Sequence, residues 1–479
     1  VPNCSRRPAR RCANRLPTSG VHPLLARYQE PNSLDLLFFA SDAAARRAGL
    51  PQGNAQIATE VAGEIDVRRL RQAIAALHRV YPVTAARLEI SRRTGRPRWR
   101  LDVPPPDPDA VLDMRVLRGG MHDAWRAEFE RLFMQPIDAT RGAPVRFHLI
   151  RGLPTGDALV LRWPHALMDA RGGGWVSEEL SRLYESDEAL PKLVSAGDEL
   201  RPDYGPLLER MSVGQRLRRA AWSLRFRTWH GKRYAYLVDG PIPTDLGRLR
   251  CILRHLSPEQ TRQAFDNALR VCGVGRFPDY LRACALLALH EGVTVPVPPD
   301  ALYTTINLLD RRNRRQPLRW CCNLTTSIPV AVPAGVVRDR RQVAELIREQ
   351  TGQFLAADGA VAQAVVLWML TRLPTAWLGA FVWRRLRAGA KIRPRLGLAP
   401  APSLPLGLMG PATRPLPTYC GRPLVNYYGC RPPVPDTGYA LQVNLTADRM
   451  NILGVCYEGR VPVATVAALI ERLVARLLE

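Results

Sequence analysis

The chain has 479 residues, 68 Lys+Arg against 43 Asp+Glu for a formal net charge of +25, and 46% hydrophobic residues. That length and apolar content can fill the cores of two or three domains, which excludes a mainly disordered chain. The 42 Pro and 35 Gly keep no period, which excludes collagen-like and solenoid architectures.

Lysine occurs only at Lys192, Lys232 and Lys391, so the charge is almost all arginine and reads as compositional bias rather than a selected polyanion site. A basic surface attracts phosphates, acidic partners and anionic lipid. No zinc-finger spacing, basic heptad region or ribonucleoprotein aromatic run accompanies the charge, so nucleic acid is not an expected partner. The ten cysteines include no C-x-x-C pair, which predicts reduced thiols and no metal site. The first twenty residues carry Arg6, Arg7, Arg10 and Arg11 without the apolar run of a secretory signal, and a cytoplasmic location is the expectation.

In chain order, residues 1–30 read as a flexible basic arm and 31–190 as a first α+β half. Glu60 to Val67 predicts a short strand and turn, and Leu70, Ile74, Leu77 and His78 mark an amphipathic helix ended by Tyr81-Pro82. A second helix is expected from His122 to Phe133. PVRFHLIRG and ALVLRWP, separated by Pro-Thr-Gly-Asp, predict a β-hairpin whose second strand stops at Pro164. After Gly172-Gly173-Gly174, Trp175 to Tyr184 reads as a helix. Residues 191–248 form a connecting region rich in Pro, Arg and Trp, and 249–479 a second half. There, Leu249 to Leu256 and Leu302 to Leu308 read as strands, and Ser257-Pro258 as the start of a helix through Ala268. A helix from Pro278 to His290, strands at Ala440 to Thr446 and Asn451 to Tyr457, and a final helix from Ala464 complete the pattern.

The chemistry concentrates at His165-Ala-Leu-Met-Asp169. A histidine at a strand end, pushed into a glycine-rich bend, sits where an imidazole can act as general base. Asp169 either orients His165 or holds the loop through an arginine.

The stretches PIDATRGAPVRFHLI and WPHALMDARGG resemble, in order and spacing, the catalytic half of the acyltransferase superfamily that includes chloramphenicol acetyltransferase. Peptide-synthetase condensation domains, alcohol acetyltransferases and wax ester synthases belong to the same superfamily. The second histidine of its His-His-x-x-x-Asp-Gly motif falls on His165, while Pro164 and Ala170 replace the first histidine and the glycine. RRLRQAIAALHRVYPVTAARLEI, SPEQTRQAFDNALRVCGVGRFPDYLRACALLAL, NLTTSIPVAVP and VNYYGCRPPVP resemble further elements of that fold. At Thr84-Ala85-Ala86-Arg87 the first arginine of the family's strand is missing, so Arg87 or Arg171 would have to pair with Asp169.

The resemblance implies two chloramphenicol-acetyltransferase-like α/β sandwich halves, a pseudo-dimer with an interface channel and His165 at its centre. It implies acyl transfer from a thioester, acyl-CoA in the first reading, to a hydroxyl acceptor, with no cofactor beyond the co-substrate. The alternatives are carrier-protein-dependent condensation onto an amine or alcohol, and a catalytically silent binding module. Gly172, Gly173, Thr325, Thr326 and Asn426 are the candidate oxyanion or loop-support groups. Arg311, Arg312 and Arg314, with Arg315 beside them, are the candidate donor-phosphate site. Gly359 to Trp383 holds a single charge, Arg372, and reads as two core helices, with an acyl-channel or lipid-facing role as the second option and a true membrane span as the third. Arg216 to Arg233 mixes seven cations with Trp222, Phe226 and Trp229, a linker helix with an option of peripheral membrane contact.

Overall fold

A computed structural model describes residues 27–47, 49–50, 53–117, 122–186, 208–227, 233–238, 242–243, 245–312, 321–387, 402–410, 417–446 and 448–479. The first half opens with β1 (Tyr28–Gln29), α1 (Ser33–Arg47), β2 (Asn54–Ala62) and α2 (Val67–Val80). Then come β3 (Arg87–Ile90), β4 (Pro97–Arg100), β5 (Leu112–Val116), α3 (His122–Met134), β6 (Arg146–Leu153), β7 (Gly156–Pro164) and α4 (Ala170–Glu185). Helix α5 (Val213–Arg227) leads into β8 (Leu249–Leu256), α6 (Pro258–Cys272), α7 (Phe277–Gly292), β9 (Leu302–Asp310) and β10 (Thr325–Pro333). Last are α8 (Arg340–Ala356), α9 (Gly359–Thr371), α10 (Thr375–Arg387), β11 (Leu406–Met409), β12 (Thr418–Tyr419), β13 (Arg422–Cys430), β14 (Tyr439–Leu445), β15 (Met450–Tyr457) and α11 (Val463–Leu478).

Most local expectations hold because their causes are local. In α2, Leu70, Ile74, Leu77 and His78 all face the core, and Asp66 caps the helix by accepting from the Arg69 N–H. Ser257 and Gln260 form a reciprocal capping box at α6. The expected hairpin is β6 and β7, joined at Leu153 and Gly156. Residues 1–26 of the expected basic arm lie outside the described residues, but Tyr28 and Gln29 pair with Arg100 and Trp99 and belong to the fold. The strand expected from Glu60 begins earlier, at Asn54, and is buried almost throughout. Within the expected connecting region 191–248, α5 is a helix packed on α9, while 228–232, including Trp229, lies outside the described residues.

The molecule is α+β and two-lobed. The first lobe is built on a six-stranded sheet in the order β12-β13-β2-β7-β6-β5, the second on a four-stranded sheet β11-β14-β15-β8 with a β9–β10 ribbon beside it. Segment 249–479 does not close on itself. β12 and β13 leave it for the first lobe's sheet, where β13 pairs antiparallel with β2 from Leu424↔Val61 to Cys430↔Gln56. Two buried polar contacts lock this crossing: Asn426 Nδ2 donates to Glu60 at 2.7 Å, and the Tyr428 hydroxyl donates to the same carboxylate. Around them Ala58, Phe129, Leu453, Val455 and Tyr457 form an apolar layer shared by both lobes.

Gly359 to Trp383 folds as α9 and most of α10, broken at Pro374. Among the described residues no single helix is long and apolar enough to cross a membrane.

Candidate active site at the lobe junction

Strand β7 ends at Pro164, and the chain turns at once, the Leu167 N–H bonding back to the Pro164 carbonyl. His165 sits in this turn, fixed at both backbone groups. Its N–H donates to the Gly53 carbonyl at 3.1 Å, and its carbonyl accepts from Asn323 Nδ2 at 2.8 Å, a contact spanning the two lobes. The imidazole stacks on Phe38 of α1 at 4.1 Å between ring centroids. Nδ1 is buried and has no hydrogen-bond partner among the described residues, as does Asn323 Oδ1. The residue as a whole is half-buried, and Nδ1 is the ring nitrogen that is sealed.

Burial pushes the His165 pKa well below the ordinary imidazole value, and the Arg431 guanidinium adds to the effect. Its own carbonyl, the Asp169 carboxylate and the Asn323 amide act in the opposite direction. The ring is consequently neutral near pH 7, the state a proton acceptor needs.

Asp169 does not touch His165 through any hydrogen bond; it is the N-cap of α4 and the anchor of the β9–β10 ribbon. It accepts from the Gly172 N–H, the Leu324 N–H and the Thr325 hydroxyl, each at 2.9 Å. The Arg312 guanidinium binds it bidentately at 2.9 and 3.1 Å. Burial alone would raise the Asp169 pKa; the Arg312 charge and these donors outweigh it and hold the carboxyl below the usual range.

Three expectations are corrected by these contacts. The ion-pair partner of Asp169 is Arg312, not Arg87 or Arg171: Arg87 is exposed on β3, and Arg171 binds Asp310 at 3.1 Å. Arg312 is accordingly not a donor-phosphate group, because it is also bound to Asp310 and to the Cys322 carbonyl and its side chain is only 10% exposed. Gly172 and Gly173 do not lie in a loop with free N–H groups. The helix starts at Ala170; the Gly172 N–H caps to Asp169, and the Gly173 N–H bonds to the Asp169 carbonyl. Glycine is required there by packing, since a Cβ on Gly173 would fall 2.2 Å from the Trp163 ring.

Thr325 holds Asp169 and so supports the loop. Thr326 and Arg311 line a small pocket with Asn32, Ser33, Asn323 and Gln363. Asn426 is not at the site. It opposes Glu60 on β2, whereas Pro164 opposes Asn54, six residues away, a separation of about 20 Å at the rise of a strand. Arg314 and Arg315 lie outside the described residues.

The tertiary structure adds residues that were not singled out. Asn323 is the principal one: besides the His165 carbonyl, its Nδ2 and its N–H donate to the buried Asp35, and its carbonyl accepts from Asn32. It is the residue before the Leu-Thr-Thr of the second lobe's strand, a polar side chain between Cys322 and Leu324, both buried. That pattern, a buried-strand context with one amide, was the available signal. Phe38 and Arg431 carry no such signal, because their importance comes only from what lies across from them.

No protein-family model matches the sequence, and no curated protein matches it. Solved structures do match, at low identity and over nearly the whole chain. The first condensation domain of the calcium-dependent antibiotic synthetase, in complex with a substrate analogue, superposes with a TM-score of 0.67 at 17% identity, over 95% of this chain and 96% of its own. A trichothecene 15-O-acetyltransferase from Fusarium sporotrichioides gives 0.64 at 11%, over 96% and 99%. The starter condensation domain of rhizomide synthetase, in complex with C8-CoA and Leu-SNAC, gives 0.60 at 13%, over 94% of each chain. The chain has the fold of the chloramphenicol-acetyltransferase-like and condensation-domain superfamily.

Proposed function

We propose that the protein transfers an acyl group from a thioester to an amine or hydroxyl acceptor in the manner of a condensation domain, with the donor held on a carrier protein. The observation that carries this reading is His165: neutral, fixed at the lobe junction through both backbone groups, with Nδ1 sealed, which leaves Nε2 to take a proton. As the acceptor attacks the thioester carbonyl, its proton passes to His165 Nε2. The tetrahedral intermediate then collapses, the carbon–sulfur bond breaks, and the departing thiolate takes that proton. No covalent enzyme intermediate is needed. The imidazolium formed in passing is disfavoured by burial and by Arg431, and Asp169 and the Asn323 amide offset part of this. Asp169 acts through structure, holding α4 and the β9–β10 ribbon together behind the histidine.

A carrier-held donor is favoured over free acyl-CoA because the arginine run offers fewer phosphate ligands than its sequence suggests, Arg312 being bound to Asp169. The first condensation domain of the calcium-dependent antibiotic synthetase, among the superposed structures, points the same way. A second reading, acyl-CoA-dependent O-acyl transfer, draws support from the similarity to an acetyltransferase over 96% of the chain and from the C8-CoA complex of a similar domain. In that reading Arg311, which lines the pocket, meets the donor, and Arg311→Gln raises the KM for acyl-CoA alone.

Single-turnover assays with matched acyl-carrier and acyl-CoA donors, against amine and alcohol panels, separate the two. His165→Ala lowers transfer about 10²–10⁴-fold with the melting temperature unchanged. Unchanged turnover in that variant refutes the mechanism, and a higher kcat/KM for acyl-CoA refutes the carrier preference. Absence of transfer from either donor in the wild type leaves the silent binding module as the reading.

A further inference from the structure

The outer surface of the α9–α10 helix pair is apolar where a soluble surface would be polar. Met369 is 40% exposed, Leu373 41%, Trp377 69% and Phe381 37%, at a spacing of four residues along the two helices and their link. Residues 359–387 contain no acidic side chain and four arginines: Arg372, Arg384, Arg385 and Arg387. Arg372 and, from α5, Arg216 both lie over the Trp368 ring, at 4.3 and 4.8 Å from its centroid. Arg384 is exposed beyond Phe381, and Arg96 donates to the Thr371 carbonyl beside the helix break. Among the described residues the acid that reaches this rim is Glu209, 3.8 Å from Arg372 and itself 65% exposed.

The inner side of the same helices packs toward α1 and the small pocket beside Asn323. Ala360, Gln363, Ala364 and Leu367 of α9 line the pocket that also contains Asn323 and Thr326. Leu378 and Val382 of α10 pack on Ala40 and Ala44 of α1, the helix whose Phe38 stacks on His165.

We propose that the α9–α10 surface docks on an anionic lipid bilayer. A stripe of Met, Leu, Trp and Phe rimmed by guanidinium groups is the combination that inserts shallowly at the headgroup boundary, apolar groups entering and cations meeting lipid phosphates. Charge complementarity selects this occupant over a second copy of the chain. Two such faces brought together would set arginine against arginine with almost no carboxylate to answer them. Docking there would place the pocket one helix layer from the membrane. The inference concerns a surface outside the reaction chemistry and stands or falls independently of the acyl-transfer reading.

The test is co-flotation of the full chain with vesicles of equal parts phosphatidylglycerol and phosphatidylcholine, and with phosphatidylcholine alone. The wild type floats with the anionic vesicles, and about tenfold or more weakly with the zwitterionic ones or in high salt. Leu373→Glu/Trp377→Glu lowers the partition coefficient at least tenfold; both positions are exposed, and melting reports that the fold is kept. Hydrogen exchange of the unsubstituted chain gives a second readout, with vesicles protecting 369–381. Failure of the wild type to float, flotation of the double variant at the wild-type level, or protection elsewhere overturns the proposal. A wild-type dimer that the double variant converts to monomer in the absence of lipid also overturns it, in favour of contact between copies.

Discussion

Replacing Arg312 by Gln removes the cation from a buried pair. In the native protein the Asp169 and Arg312 side chains are 6% and 10% exposed, and the guanidinium reaches Asp169 with two hydrogen bonds. Breaking such a pair from one side costs about 3–5 kcal/mol, because the remaining charge stays buried. Asp169 keeps the Gly172 and Leu324 N–H groups and the Thr325 hydroxyl, which places the expected loss toward the lower end, near 3 kcal/mol. The pH dependence should change sign as well. In the wild type the Asp169 pKa is held below its unfolded value, so its contribution is present above the unfolded pKa and fades as pH falls through the folded one. Without Arg312 the effect of burial dominates, the folded pKa rises above the unfolded value, and the variant recovers stability as the solution is acidified. Denaturant titrations at intervals from about pH 2.5 to pH 8 measure both effects, the wild-type slope lying below about pH 4 and the variant's above it. A loss below about 1 kcal/mol with an unchanged pH slope would show that Asp169 does not depend on Arg312.

Gly173→Ala decides between two opposing effects: helix propensity favours alanine by about 1 kcal/mol, whereas the new Cβ meets the Trp163 ring at 2.2 Å. The clash should win, with a net loss of about 1–3 kcal/mol by thermal melting, and a stabilised variant would refute the close packing of α4 on β7. Asp42, whose carboxylate accepts from the Gly53 N–H, has its pKa raised by burial from 3.8 to about 6. A raised folded pKa means stability lost as pH climbs from about 4 to 6, so Asp42→Asn should gain up to about 3 kcal/mol at pH 8 relative to pH 4; a wild-type stability profile in the variant contradicts this. Arg431→Gln removes a cation that depresses His165, so the acid limb of the kcat/KM profile should move to higher pH, and an unmoved limb means that Arg431 does not act on the imidazole.

What the amino-acid order determines by itself is whatever is decided within a dozen or so residues. The amphipathic stripe of α2, the β6–β7 hairpin, the Ser257 capping box and the stop at Pro164 all rest on side-chain period, turn chemistry or a missing N–H. The order of these elements also carries the two-lobed fold, and the location of His165 at a strand end follows from it. The start of α4 is different: three glycines read as loop because each disfavours helix, and only the approach of the helix backbone to Trp163, with Asp169 as cap, reverses that preference. The partner of Asp169 was unreadable for a related reason. Arg312 lies 143 residues away, and in a chain with 68 basic residues nothing local distinguishes it from its neighbours. The same holds for β13, whose sequence fits a buried strand in either lobe. Beside β2 its Asn426 and Tyr428 join Trp125 of the first lobe as donors to the buried Glu60 carboxylate, contacts that exist only once both lobes have closed over it. Periodicity and turn chemistry act through neighbours along the chain, so they are written in the sequence; ion pairs and strand swaps are selected by desolvation, which exists only after the lobes meet.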